Sequence, residues 1–295
     1  MTESASPPES RSPEPGTDQS AANADLAGVP ELRQCVDAWW EAIDSFIKLM
    51  ETVPPEQWAT PTDLPGWDVH AVVAHIAHLE SLLAGEAHDE VDVSDAPHVR
   101  GVMGTFTEQG VVARRDRSAD ELINEIHEST TKRHTSLVAD PPTDPDAPAP
   151  GLFGAIGWST RTLLRNRPLD VWMHEQDVRR AVGIPGGLDS SAAVHTASYL
   201  LESLPIVVAK RAKAPAGATV VVEVEGHGST AVRVGEDGRG SAVAVPDEPT
   251  TRLRTDREAF ILLAGGRRAV EQGRVEVDGD TELAERVLAA MAVTP

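Results

Sequence analysis

Residues 169–182 read LDVWMHEQDVRRAV. Val171, Val178, Ala181 and Val182 mark the apolar face of a helix, and Asp170, His174 and Asp177 recur at the same three- and four-residue spacing. That spacing stacks side chains one above another on a single face. A histidine and up to two carboxylates therefore point toward a core. Burying an unpaired charge costs roughly several kcal/mol or more, so each such group needs a partner. A salt bridge, a hydrogen-bond network or a metal ion would each supply one.

A second stretch, DVHAVVAHIAHLESLL (68–83), has the same character. His75 falls between Val72 and Leu79 and shares their apolar face, while His70 and His78 lie nearer the polar edge. Alone, His75 reads as a core histidine bonded to a carbonyl. Facing helices of a bundle, however, can project His75 against Asp170 and His174, which is how bundle cores build metal sites. Two imidazoles and one carboxylate suit Zn²⁺ or a similar divalent ion and leave a position open for chemistry. On the residues alone, metal and polar network both stand. Asp170 also follows Pro168 by two residues, and in the first turn of a helix starting there it would favour the positive helix end. Asp177 reads as a ligand, a partner to one, or half of a pair with Arg179 or Arg180. HEQDV is not a zincin motif, because the second histidine would fall at position 178, where valine stands.

Around these stretches the chain divides into three parts. Residues 1–28 are rich in Pro, Ser, Glu and Ala with little to bury, and read as a disordered tail. Residues 29–212 read as a helical bundle. Its first helix runs from Pro30 to a stop before Pro54 and Pro55, with Leu32, Val36, Trp39, Trp40, Ile43, Phe46, Ile47 and Met50 at helical spacing. The second covers 68–83, and the third follows the capping box SADE at Ser118. After the proline-rich loop DPPTDPDAPAPG, a fourth helix spans about 159–182 and a fifth about 189–210. Residues 213–295 change pattern. TVVVEVEG alternates, with Val220, Val222 and Val224 on one face, and forms a hairpin with HGSTAVRVG. A strand SAVAV precedes PDEPTTRLRT, TDRE (255–258) caps a short helix, and VEVDGDTELAERVLAAM closes with a strand and a helix. The expected fold class is an up-down helical bundle followed by a small α+β domain.

Composition bounds the function. The chain has 295 residues, 40% of them hydrophobic, with a net charge of −21 and a mean hydropathy of −0.24. Such an acidic surface argues against nucleic acid, whose phosphates need a basic one. No stretch approaches the ~20 apolar residues of a membrane span, and the N-terminus lacks the basic and apolar regions of a signal peptide. A cytoplasmic location is the default. The single cysteine, Cys35, excludes an internal disulfide and any multi-cysteine metal site. It sits in an apolar-periodic helix and reads as an inert buried thiol, so any thiol chemistry draws its thiol from outside the chain. Of the 26 basic residues only four are lysine, which suggests a G+C-rich genome.

GWDVHAVVAHIAH (66–78) together with LDVWMHEQDVRRAVGIPGG (169–187) resembles the mycothiol-dependent maleylpyruvate isomerase family of DinB-like four-helix bundles. The shared features are GW followed after seven residues by His75, and a carboxylate at 170 followed by His174 and Asp177. The resemblance implies a divalent metal, usually zinc, held by His75, Asp170 and His174. Here aspartate stands where the family carries glutamate, one methylene shorter. The family's catalytic arginine has no secure match; Arg114 and Arg115 lie in the loosely aligned FTEQGVVARRDRSADEL. TTRLRTDREAFILLAGGRR resembles the sterol-carrier-like module that many members carry at the C-terminus.

The function this implies is a metal-dependent enzyme in which mycothiol, a small sugar thiol, attacks a small electrophilic substrate. Reversible addition to a conjugated double bond gives isomerisation, and a retained adduct gives thiol transfer. A free thiol has a pKa near ~8.5, and a metal lowers it sharply. Two rivals carry their own signatures. A metal-dependent hydrolase, with bound water as nucleophile, turns over without thiol. A non-catalytic metal- and ligand-binding protein binds the thiol and turns over nothing.

Overall fold

The computed structural model describes residues 29–294, so the reading of residues 1–28 as a tail lies outside the described residues. Four long helices form the bundle: α1 (Pro30–Met50), α2 (Val69–Leu83), α4 (Ala119–Ala139) and α6 (Thr160–Val182). Between them lie α3 (Gly101–Ala113) and the short α5 (Gly151–Ala155). Helix α1 packs on α6 and α2 on α4, and contacts of α1 with α4 and α2 with α6 close the ring. The apolar spacing read from α1 is the buried one, with Leu32, Trp39, Ile43, Phe46 and Met50 inside. Side-chain caps set the helix starts: Asp68 accepts from the Ala71 amide, Ser118 forms the full capping box with Glu121, and Ser159 accepts from Thr162. Gly183, at φ 71°, ends α6 in the left-handed conformation that glycine adopts most easily.

Helix α3 is absent from the sequence reading, and its composition explains why. GVMGTFTEQGVVA holds three glycines, which weaken helix propensity, and no side chain caps its start. Its position nevertheless decides the surroundings of α2. By covering the side of α2 that would otherwise face solvent, it leaves an almost unbroken buried run from Val69 to Ser81. His78, expected near the polar edge, is therefore buried, at 1% exposure. His70 is half-buried. The two helices meet where α3 has no side chain, since a Cβ on Gly110 would lie 2.1 Å from the His78 ring.

The expected fifth helix is shorter than its pattern. Helix α7 (Ser191–Leu201) stops before Pro205, whose ring would meet the Leu201 carbonyl in a continued helix. One helical turn, Leu204–Ile206, and a π-helical turn, Val207–Arg211, complete the segment. Contrary to the sequence reading, Ser191–Arg211 is long and apolar enough for a membrane span by length and composition, with a mean hydropathy of 1.3; half of it is buried in the fold.

The C-terminal part is a five-stranded mixed sheet in the order β3-β2-β1-β4-β5. Strands β1 (Thr219–Val224) and β2 (Gly228–Val234) form the expected antiparallel hairpin, with Val220 opposite Val232. Strand β3 (Gly240–Val243) extends it. Strand β4 (Thr251–Thr255), to which the sequence reading assigned no element, pairs parallel with β1 and antiparallel with β5 (Val275–Gly279). Its five residues do alternate, with Thr251 and Leu253 buried between more exposed arginines. Helices α8 (Arg257–Ala264) and α9 (Thr281–Ala289) complete the chain. Asp256, rather than Thr255, caps α8. One hydrophobic core runs from the bundle into the sheet, joining Trp39 and Trp172 to Val222, Leu253 and Phe260.

Because the His78 ring has no room to retreat, Gly110→Ala is expected to destabilise the protein by about 1–3 kcal/mol through overpacking. Chemical denaturation measures it; a change below about 0.5 kcal/mol would show that α3 shifts freely on α2.

Candidate metal centre

The bundle brings His75 of α2 against Asp170 and His174 of α6, and their ligand atoms all lie within 4.8 Å of one another. His75 Nε2 is 3.4 Å from Asp170 Oδ2, and His174 Nε2 is 3.7 Å from Asp170 Oδ1. The two imidazoles meet nearly edge to face, with centroids 4.7 Å apart. Trp67, in the turn that introduces α2, packs against both rings at 5.1 and 6.0 Å. Its indole N–H donates to Glu108 Oε2 at 2.9 Å, and His98 reaches the same oxygen. Among the described residues, this is the one cluster of three or more histidine, cysteine or acidic groups spaced to hold a metal ion.

Asp177 lies one turn beyond His174, and its Oδ2 is 3.2 Å from His174 Nδ1. The Asp177 carboxylate also receives Arg180 Nη2 at 2.5 Å and Arg267 Nε at 3.0 Å. Burial pushes the Asp177 carboxyl up, but His174, Arg267 and Arg180 outweigh it and hold it below the usual range. An ionised carboxylate only accepts, so Asp177 favours the His174 tautomer with its proton on Nδ1 and a lone pair on Nε2. A carboxylate on the far nitrogen of a histidine is the usual support for a metal ligand. Arg180, not Arg179, makes the pair expected with Asp177; Arg179 binds Glu175 instead.

The donor set fits a divalent ion, and His75 provides the test. Both of its ring nitrogens are buried without a hydrogen-bond partner, although a neutral imidazole has one donor and one acceptor to satisfy. Leaving such groups unpaired costs about 1–3 kcal/mol, a cost that a metal bond would offset. Burial lowers the His75 pKa despite the attraction of Asp170, so the ring is neutral and able to coordinate. At Asp170, burial works upward, but Arg167 and the imidazoles hold the carboxyl far below its usual range. Ligand atoms ~2.0–2.1 Å from a tetrahedral zinc lie ~3.4 Å apart; Asp170 Oδ1 stands 3.7 Å from His174 Nε2, and the three residues offer ligand atoms within 4.8 Å of one another.

Asp170 does not lie in a first helical turn. Helix α6 begins at Thr160 and continues through Pro168, so the helix-end explanation for this aspartate falls. Its second partner went unread in the sequence: Arg167 Nη1 donates to Oδ2 at 3.0 Å. Arg267 went unread as well, because only the fold brings residues 177 and 267 together. A neighbouring cluster is separate from the candidate metal set. His78 Nε2 is 3.1 Å from His88 Nδ1, and burial takes the His78 pKa down to about 3. Cys35 is buried in α1, and burial pushes its thiol up to about 11.

The comparisons with known proteins agree with this architecture. The family model described as the mycothiol maleylpyruvate isomerase N-terminal domain matches residues 39–179, and the MDMPI C-terminal domain model matches residues 192–286. The chain belongs to the mycothiol maleylpyruvate isomerase family. Two crystal structures titled as the mycothiol-dependent maleylpyruvate isomerase share the fold of this family member. One is a variant with a histidine replaced by alanine, at a TM-score of 0.52 and 14% identity. The other has a TM-score of 0.50 and 15% identity. Each alignment covers 84% of this chain and 92% of the other. No curated protein matches the sequence.

The geometry separates the two carboxylates. Asp170→Asn is expected to weaken zinc binding more than Asp177→Asn, whose loss through His174 should be limited to about 10–100-fold. Competition with a chromophoric chelator measures both. If Asp177→Asn proves the more damaging change, the two roles exchange.

Proposed function

We propose that the protein is a metal-dependent enzyme that uses mycothiol on a small electrophilic substrate, by isomerisation of the maleylpyruvate type or by thiol transfer. The observation that carries this reading is the buried His75, without hydrogen-bond partners, beside Asp170 and His174 in a chain of this family. These three residues would hold the ion, and zinc suits their two nitrogens and one oxygen. A bound divalent ion supplies positive charge that favours thiolate over thiol.

The chain's own residues supply the remaining requirements. Asp177 keeps the His174 lone pair turned inward, and Trp67 shields the two imidazoles. Trp67 also lines a cleft of about 600 Å³, bordered by His70, Glu108 and Arg115. Such a volume accommodates a small-molecule substrate. Arg114 and Arg117 both pair with Glu125, whereas exposed Arg115 makes no side-chain ion pair or hydrogen bond among the described residues. Its guanidinium is the cation available in this cleft to an anionic substrate. Cys35 is buried and held protonated, so the reactive thiol comes from the cofactor.

Purified protein should contain a stoichiometric divalent metal and isomerise maleylpyruvate, or form a thiol adduct, only when mycothiol is present. His75→Ala and His174→Ala should lose both metal and turnover at equal folding, read by elemental analysis alongside circular dichroism. Full metal content in both variants, or turnover without thiol, would overturn the proposal. For the cleft, Arg115→Gln should raise KM for an anionic substrate by roughly tenfold with little change in kcat. An unchanged KM would remove Arg115 from substrate binding.

A further inference from the structure

Beneath the metal centre lies a line of buried charges. Arg167 donates through Nη1 to Asp170 Oδ2 at 3.0 Å, and through Nε and Nη2 to Glu80 Oε1 at 3.1 and 2.7 Å. Glu80 is itself held. Its Oε1 also accepts the Trp39 indole N–H at 3.0 Å, and its Oε2 accepts Arg133 Nη1 at 3.0 Å. The Arg133 guanidinium lies over the Trp39 ring, 4.5 Å from the centroid. Glu80 and Arg167 are 0% and 1% exposed.

We propose that Arg167, anchored on Glu80, is a positioning residue that fixes Asp170 as a one-oxygen metal ligand. The proposal rests on the reading that His75, Asp170 and His174 bind a metal. A guanidinium is a rigid planar fork, so an edge seated on an immobile carboxylate fixes where its remaining N–H points. That N–H occupies one lone-pair direction of Asp170 Oδ2 and leaves Oδ1, on the His174 side, as the oxygen that accepts no hydrogen bond among the described residues. Chelation through both oxygens would make Oδ2 divide its electron density between the ion and a guanidinium that is 1% exposed. A stabilising role alone is a weaker account, because buried ion pairs seldom stabilise more than well-packed apolar residues do. This pair instead ends on a proposed metal ligand.

Arg167→Lys is the informative variant. Lysine keeps the positive charge beside Glu80 but cannot span both carboxylates as a fork. With cobalt(II) loaded into the whole protein, the visible d–d spectrum reports coordination, and chelator competition reports zinc affinity. Arg167→Lys should alter the cobalt spectrum and weaken zinc binding by about 10–100-fold. Glu80→Gln, which keeps Arg167 and removes the charge that it shares with Arg133, should shift both readings in the same direction by less. A purely structural role would lower the melting temperature and leave both readings of the folded protein unchanged. If Arg167→Lys fails to fold, Glu80→Gln decides alone. Folded variants that keep the wild-type spectrum and a zinc affinity within about 2-fold overturn the proposal, since loss of a ligand's support normally costs more. If the wild-type protein itself takes up no metal, the metal reading falls and this one with it. Metal uptake by wild type with unaffected variants overturns the positioning role alone.

Discussion

A carboxylate with no exposed surface, Glu80, sits where all four long helices meet. Removing a charge from water costs several kcal/mol even after relaxation, so the fold must surround this group with donors at good geometry. It does so with one residue from each of the other helices: Trp39 of α1, Arg133 of α4 and Arg167 of α6. Each of these contacts sets the depth of one helix relative to α2. A slide of any helix by one residue, about 1.5 Å, would break a hydrogen bond to a buried charge. His75 lies five residues before Glu80 on α2, and Asp170 three residues after Arg167 on α6. The restraint that aligns the helices therefore also aligns the residues facing each other at the centre.

Much of this was legible in the sequence where one helix carries its own signal. The periodicity of α1, the capping box at Ser118 and the valine alternation of β1 all reappear in the structure at the expected places. The same holds for His75, Asp170 and His174, whose faces follow from spacing within two helices. Contacts between distant segments carried no such signal. Glu80 and Arg167, 87 positions apart, carry no pattern within either helix that pairs them before the bundle closes. Helix α3, glycine-rich and uncapped, carried too weak a pattern to register, and His78 was misplaced for that reason. Strand β4 was missed because five alternating residues between turns resemble a loop until β1 and β5 are set beside them.

The C-terminal sheet is joined to the bundle by more than shared core. Gly265, at the end of α8, packs against Met173 so closely that a Cβ would lie 2.4 Å from the methionine methyl carbon. Two residues later, Arg267 reaches Asp177, the carboxylate that orients His174. Close packing and a buried ion pair thus act on residues one turn apart on α6. The orientation of one histidine at the centre depends on a part of the chain that contributes none of the three residues proposed as ligands.

Cys35 is the only cysteine in the chain, and it is buried with its thiol pushed up to about 11. At neutral pH almost none of it is thiolate, the form that reacts with alkylating reagents and disulfides. The folded protein is accordingly close to silent in any sulfur titration. Thiol supplied from outside can be counted in its presence against a nearly blank background, and signal from the protein's own sulfur would report unfolding.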